Sequence, residues 1–140
     1  EATRNLLIFA GTGITPGQRC DVPVGLIDIY PTLTELCGLP QREGLDGLSL
    51  VPQLRDPSAT RERPALTTFG LNNHAVRTAK WRYIRYSDGT EELYDHDNDE
   101  MEWTNLAGDG QYDGLKAELG AWMPNENAAP IPASRGKDGE

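Results

Sequence analysis

The 140-residue chain carries 22 acidic and 13 basic side chains, a net charge of −9, and is rich in turn formers with 15 Gly and 10 Pro. That charge excludes a general nucleic-acid binder, whose footprint is basic, and no apolar run approaches the ~18 residues of a membrane-spanning helix. Two cysteines, Cys20 and Cys37, are too few for a disulfide scaffold and are expected as unpaired core thiols, Cys37 on a buried helix face.

The chain starts at Glu1 without a Met, a basic stretch or an apolar leader. The expectation is a piece of a longer protein or one trimmed upstream. Leu6-Leu7-Ile8-Phe9 is a continuous apolar run, the pattern of a strand buried on both faces. Gly11 to Gly17 then reads as loop. The clearest helix runs from about Leu26 to Cys37, with Ile29, Leu33, Leu36 and Cys37 on one stripe and Gly38 and Pro40 as stop signals. Residues 41–64 read as loop with one short helical turn, ending in a charged, Pro-containing surface linker over 56–64.

From Pro64 onward the pattern changes to hairpins. Ala65–Phe69, Ala75–Thr78, Trp81–Tyr86 and Glu92–Tyr94 are strand candidates, with turns at Ala79-Lys80 and at Ser87-Asp88-Gly89-Thr90, where Asp-Gly is a strong hairpin signal. Trp81, Tyr83 and Arg85 are expected on one face, and Arg82, Ile84 and Tyr86 on the other. Tyr112–Met123 reads as a last helix with Leu115, Leu119 and Trp122 inward. The tail from Pro124 reads as extended or disordered. The expected organisation is a strand–helix piece over 1–64, an antiparallel-sheet subdomain with a terminal helix over 65–123, and a tail over 124–140.

The motifs exclude several chemistries. Gly11-Thr12-Gly13 lacks the third glycine of a dinucleotide fingerprint and the Gly-Lys-Ser/Thr of a P-loop. Asp95-His96-Asp97-Asn98-Asp99 opens like a calcium loop, but Glu100 stands where a Gly must turn the chain and Leu106 where a Glu must close it. With two histidines, no zinc site or Ser-His-Asp group is arguable. Arg77, Lys80, Arg82 and Arg85 beside Trp81, Tyr83 and Tyr86 form either a solvated face pairing with Glu91 and Glu92 or an anion contact, with base stacking the weakest option. His74, after Asn72 and Asn73 at a strand mouth, is either a plain surface histidine or a ligand contact. His96, inside the acidic turn, is given no role.

In order along the chain, Glu1-Ala2-Thr3-Arg4 before an apolar strand, Asp28-Ile29-Tyr30-Pro31-Thr32-Leu33, Asp46-Gly47-Leu48-Ser49-Leu50, Val76-Arg77-Thr78 through Trp81-Arg82-Tyr83-Ile84, Glu92-Leu93-Tyr94-Asp95 and Asn105-Leu106-Ala107 make an ordered set. The set resembles the C-terminal portion of a sulfatase of the arylsulfatase/alkaline-phosphatase superfamily, and Asn73-His74-Ala75-Val76-Arg77 is similar to iduronate-sulfatase-like members. The resemblance covers roughly residues 1–125. It departs from the pattern at Ala10-Gly11, where Pro-Gly is usual, and at Asp99-Glu100, where Asp-Pro is usual.

The resemblance implies an α/β, alkaline-phosphatase-like fragment: a strand–helix piece of the large sheet plus a small C-terminal antiparallel sheet packed on a helix, capping the substrate cleft. It implies a complete enzyme that hydrolyses sulfate esters, of sulfated carbohydrates in particular, with calcium and a formylglycine nucleophile made in a C/S-x-P-x-R motif. Neither Cys20-Asp21-Val22-Pro23 nor Cys37-Gly38-Leu39-Pro40 matches that motif. No catalytic residue, metal ligand or cofactor is therefore carried over to this chain, which is expected to be inactive alone. The implied partners are an N-terminal catalytic part and a sulfated sugar, not nucleic acid or membrane, and the implied compartment is an exported one. Substrate contacts are expected at His74, Asn73 and Arg77. The alternatives are a non-catalytic anionic-glycan-binding module and a part of a phosphodiesterase or phosphonate hydrolase of the same superfamily.

Overall fold

The structure is a computed structural model and describes residues 5–128. A 3-10 turn at Leu26–Asp28 leads directly into α1 (Ile29–Leu36), and α2 (Val51–Arg55) follows with a Pro in its first turn, where a missing amide donor costs nothing. Four strands then form one antiparallel meander in chain order: β1 (Ala65–Thr68), β2 (His74–Arg77), β3 (Trp81–Arg85) and β4 (Glu91–Asp95). A second 3-10 turn at Gly110–Tyr112 opens α3 (Asp113–Gly120).

The sheet follows its sequence signals closely. Thr78 and Trp81 close the β2–β3 turn, and Gly89, at a φ of +85°, allows the tight β3–β4 turn. The register stacks Val76 beside Tyr83 and Tyr83 beside Leu93 on one face. α3 covers that face, so Val76, Tyr83, Leu93, Ala107, Leu119 and Met123 make the core, with Trp81 tilted against Tyr112 at 5.8 Å. The β4 edge is covered by a short irregular segment. Asn105 accepts from the Leu93 amide at 3.0 Å and donates to the Glu91 carbonyl at 3.1 Å, while the Leu106 amide donates to the Leu93 carbonyl. That is the physical content of the Asn105-Leu106-Ala107 motif: an open edge is satisfied without another strand.

Five expectations change. Leu6–Phe9 joins no ladder, and Leu6 and Ile8 are 86% and 73% exposed. A strand of this type needs neighbours on both sides, and none exists among the described residues. α1 buries Pro31, Thr32 and Thr34 most deeply and leaves only Ile29 and Leu36 of its apolar stripe half-buried. Thr32 and Thr34 are buried, whereas Leu33 is exposed and so is Cys37. Both cysteines are free, and both lie at the surface rather than in a core. Met123 fills the place expected for Trp122, which is largely exposed, because the helix ends at Gly120 and the chain turns inward after it.

The fifth change concerns 56–64, expected as a surface linker. Arg61 reaches from it to Asp28 in an ion pair of 2.8 Å whose side chains are only 4% and 2% exposed. The same carboxylate accepts the amides of Gly25 at 2.7 Å and Leu48 at 2.8 Å. Thr32 donates to the Asp28 carbonyl and accepts from the Leu50 amide. One acidic residue thus gathers the helix start, the 46–50 turn and the segment before β1, so Asp28 and Thr32 go inward. Around α1 an apolar surface stays outside: Leu26, Ile27, Tyr30, Leu33, Leu39 and Leu48 are all exposed.

Candidate functional site

An open recess of about 280 Å³ lies at the end of the sheet where β2 begins and β3 ends. Three separate connections form it. Asn72 comes from the β1–β2 turn at a φ of +60°, Ser87 and Gly89 from the β3–β4 turn, and Pro124, Asn125 and Asn127 from the chain after α3. His74 and Arg85, directly opposite each other in the β2–β3 register, supply the rest of its wall along with Tyr86.

His74 is 2% exposed. Its Nδ1 lies 2.9 Å from Thr68 Oγ1 on the neighbouring strand, which fixes the ring. Nε2, on the opposite side of the ring, is buried and has no hydrogen-bond partner. A buried polar nitrogen without a partner costs about 1–3 kcal/mol, and such atoms in a native fold need a reason. Asn73 is adjacent but otherwise engaged: its Nδ2 donates to the Leu71 carbonyl at 3.0 Å and its Oδ1 accepts from the Ser87 amide at 3.1 Å. It ties the two turns that frame the recess. Arg77 lies at the far end of β2, where its guanidinium donates to the carbonyls of Thr78, Ala79 and Trp81. The structure therefore brings His74 and Asn73 together and leaves Arg77 at the opposite turn.

Of the cations expected to pair with Glu91 and Glu92, Arg82 and Lys80 find other carboxylates, while Arg85 stands opposite Glu91 in the register without a direct ion pair. Arg82 pairs with Glu102 at 2.6 Å, and Lys80 with Asp95 and Asp97. Glu102, at a φ of +58°, also meets His96 Nε2 at 2.7 Å, so His96 braces the acidic turn, a role the sequence reading missed. Burial works against the Glu102 charge, yet the hydrogen bonds from Arg82 and His96 hold its carboxyl below the usual range. Beneath the recess, Glu91 accepts from the Tyr83 hydroxyl and pairs with Lys116 at 3.2 Å. Burial, then the bond to Glu91, pushes the Tyr83 phenol up to about 12.

The hydrogen bond from Tyr83 is the main reason the Glu91 carboxyl is held below its ordinary value. A depressed carboxyl contributes stability that is present above the unfolded-state value near 4.3 and is lost as the pH falls through the folded-state value. Glu91→Gln is expected to flatten the acid limb of a stability–pH profile below about pH 4.5. Urea midpoints across that range check it, and an unchanged slope would remove Glu91 from the account.

Among the described residues no three His, Cys, Asp or Glu side chains gather where they could hold a metal ion. In the acidic turn, Asp95 accepts from the Asp97 amide and Asn98, and Asp99 from the Thr104 amide. Nor does any described helix have the length and apolarity to cross a membrane.

Comparison with known proteins agrees in both sequence and fold. Residues 2–128 match the family described as N-sulphoglucosamine sulphohydrolase, C-terminal. A sulfatase of Formosa agariphila is 41% identical over 128 residues, covering 91% of this chain and 25% of that protein. A solved 2-O GAG sulfatase superposes with a TM-score of 0.65 at 30% identity, covering 81% of this chain and 27% of that one. A second solved structure, in complex with its substrate D-glucosamine-2-N,6-O-disulfate, gives 0.54 at 25% identity and covers 66% and 21%. The chain spans about a quarter of the length of the relatives it matches.

Proposed function

The chain belongs to the C-terminal family of the sulfatases, and from that premise we propose that it is the substrate-cleft cap of an enzyme that hydrolyses sulfate esters of carbohydrates. The observation that carries the reading is His74, a ring held from one side by Thr68 with its buried Nε2 unpartnered on the wall of a polar recess. A sugar hydroxyl or sulfate oxygen is the partner that atom lacks. Asn73 acts by holding the two turns around it, and Arg77 by bracing the far turn of the same strand, with any substrate contact of its own at that end. The names of the solved relatives, a 2-O GAG sulfatase and one bound to a disulfated glucosamine, favour a sulfated glycan as the substrate class.

The catalytic nucleophile and the calcium belong, in this reading, to a part outside these 140 residues. The apolar surface around α1 supports such a part. Leu26, Ile27, Tyr30 and Leu33, with Leu6 and Ile8, leave more exposed apolar surface than a self-contained domain normally tolerates. Docking would complete a sheet around Leu6–Phe9 and cover that face, making residues 1–64 the closing strand–helix piece and 65–123 the cap. An exported compartment follows from the same premise.

The test is kinetic. The chain alone is expected to hydrolyse no aryl sulfate with or without calcium. In the complete enzyme, His74→Ala is expected to lower the ratio of kcat/KM for a sulfated disaccharide to that for 4-nitrophenyl sulfate by about 10-fold or more, the scale of a lost hydrogen bond to a charged group. Equal losses on both substrates would mean that His74 touches no sugar. Turnover of a phosphonate or phosphodiester in place of a sulfate ester would move the chain to the sister hydrolases.

A further inference from the structure

We propose that the recess is a subsite for a second acidic group of the substrate, a carboxylate or a sulfate other than the one under hydrolysis, and that Arg85 selects it. This rests on the sulfatase reading above and names what its cap recognises.

Glu91, Asp88 and Glu92 are the carboxylates close to Arg85 in chain and register. Glu91, its register partner on β4, is held by the Tyr83 hydroxyl and by Lys116. Asp88 accepts from the Thr90 amide at 2.9 Å and the Thr90 hydroxyl at 2.7 Å. Glu92 accepts from the hydroxyls of Tyr86 and Tyr94. Each neighbouring acid is hydrogen-bonded elsewhere, and among the described residues the Arg85 side chain makes no hydrogen bond or ion pair within 4 Å, although its charge is near enough to help lower the Glu91 carboxyl. The guanidinium lies beside the end of α3, where a Cβ on Gly120 would stand 4.0 Å from Arg85 Nη1, an ordinary contact.

Among the described residues no acidic side chain lines the recess, although the chain as a whole carries a charge of −9. Its polar groups include the Arg85 fork, the His74 ring, the hydroxyl residues Tyr86 and Ser87 and the amides of Asn72, Asn125 and Asn127. A guanidinium presents parallel N–H donors that match a carboxylate or sulfate edge, and a half-buried one makes stronger bonds than it would in water. A neutral sugar face would use the amides but leave the guanidinium without an anion bonded to it. A substrate bearing two anions, one cleaved and one held, uses all of them.

The test compares substrates that differ by one charge. In the complete enzyme, kcat/KM is measured for a disulfated against a monosulfated glucosamine, and for a sulfated uronate-containing disaccharide against its carboxyl-reduced counterpart. Arg85→Gln is expected to shrink the preference for the more acidic member by about 10–100-fold in one of these pairs, the scale of a charge-assisted hydrogen bond. The affected pair identifies the group as sulfate or carboxylate. Arg85→Lys is expected to restore only part of it, since an ammonium is not a fork. Equal losses on all four substrates would make Arg85 a structural residue and overturn the proposal.

A binding measurement separates this inference from the sulfatase reading. With the 140-residue chain, the His74 imidazole NMR signals are expected to shift on adding disulfated glucosamine, not glucosamine, and to stop responding in Arg85→Gln. If the complete enzyme hydrolyses no sulfate ester but this titration behaves as stated, the reaction is wrong and the subsite stands. If the enzyme is a sulfatase and the signals do not move, the subsite is wrong.

Discussion

Replacing Asp28 with asparagine is expected to lower the stability of the chain by about 3–5 kcal/mol, the usual cost of removing one partner from a buried ion pair. The isosteric change keeps the volume and one acceptor oxygen, so the loss is mostly electrostatic. Arg61 would be left as an uncompensated cation in a site where both side chains are almost fully enclosed. The amides of Gly25 and Leu48, which now share the carboxylate, would compete for a single amide oxygen. A domain of this size has about 5–15 kcal/mol in total, so roughly a fifth or more is at stake. Urea denaturation of the variant checks the figure. The double change Asp28→Leu with Arg61→Leu should recover much of the loss, because a buried pair contributes little beyond its apolar replacement. A single-variant loss below about 1 kcal/mol, the size of a solvated surface pair, would show that water reaches the site.

Gly47→Ala is expected to cost at least about 3 kcal/mol by sterics rather than charge. A Cβ at that position would stand 2.1 Å from the Ile27 carbonyl oxygen and 2.7 Å from its carbon. Those are backbone atoms of the turn that opens α1, and no rotamer change can move them aside. The turn over 46–50 would have to lift away, taking with it the Leu48 amide bond to Asp28. Gly89→Ala serves as the contrast. Its surroundings are open within 4 Å, and only its φ of +85° resists a side chain, a strain of about 1–2 kcal/mol. Thermal midpoints for the two variants should differ clearly. Comparable losses would show that the close approach of Gly47 to Ile27 is not a constraint. Combined with Asp28→Asn, Gly47→Ala should cost less than the two effects summed, since both open the same contact.

These two positions also mark where the sequence stops being legible. The Asp46-Gly47-Leu48-Ser49-Leu50 turn and the Asp28–Leu33 helix start are visible as motifs, and their order with the later hairpin motifs is enough to place the family. The packing that joins them is not visible. Arg61 lies in a stretch of charges and prolines that by composition reads as solvated. Nothing local distinguishes it from Arg63 beside it, which donates to the Asp46 carbonyl at the surface. The stripe Ile29, Leu33, Leu36 and Cys37 indicates an inward helix face, but the buried face is rotated from it: Pro31, Thr32 and Thr34 go inward, Ile29 and Leu36 are half-buried, and Leu33 and Cys37 are exposed. Both statements describe one amphipathic helix: its Asp28–Thr32 side is satisfied here, and its Tyr30–Leu33 side is apolar and bare.

The candidate site divides in the same way. His74 was singled out because a histidine followed two asparagines at the mouth of a strand. Asn73 proved to be the tie between two turns rather than a free amide, which needs Ser87 from 14 residues later. Arg85 was seen only as one of four basic residues on neighbouring strands. Its distinction lies in the acids around it being engaged by Tyr83, Lys116, Thr90, Tyr86 and Tyr94. Asn125 and Asn127 lie in a stretch with no apolar periodicity, and only the chain reversal after α3 brings them to the recess.

By itself the sequence determined the antiparallel meander, the helix that covers it and the sulfatase family. Those rest on short-range physics: period-two alternation, Asp-Gly turn geometry, helical spacing and a set of ordered local motifs. Only the tertiary structure decided which acid partners which cation, which face of α1 is bare, and which three loops meet around His74. Each of these depends on groups tens of residues apart reaching within about 3 Å, the range in which hydrogen bonds and desolvation set the energy. No window of sequence contains that distance.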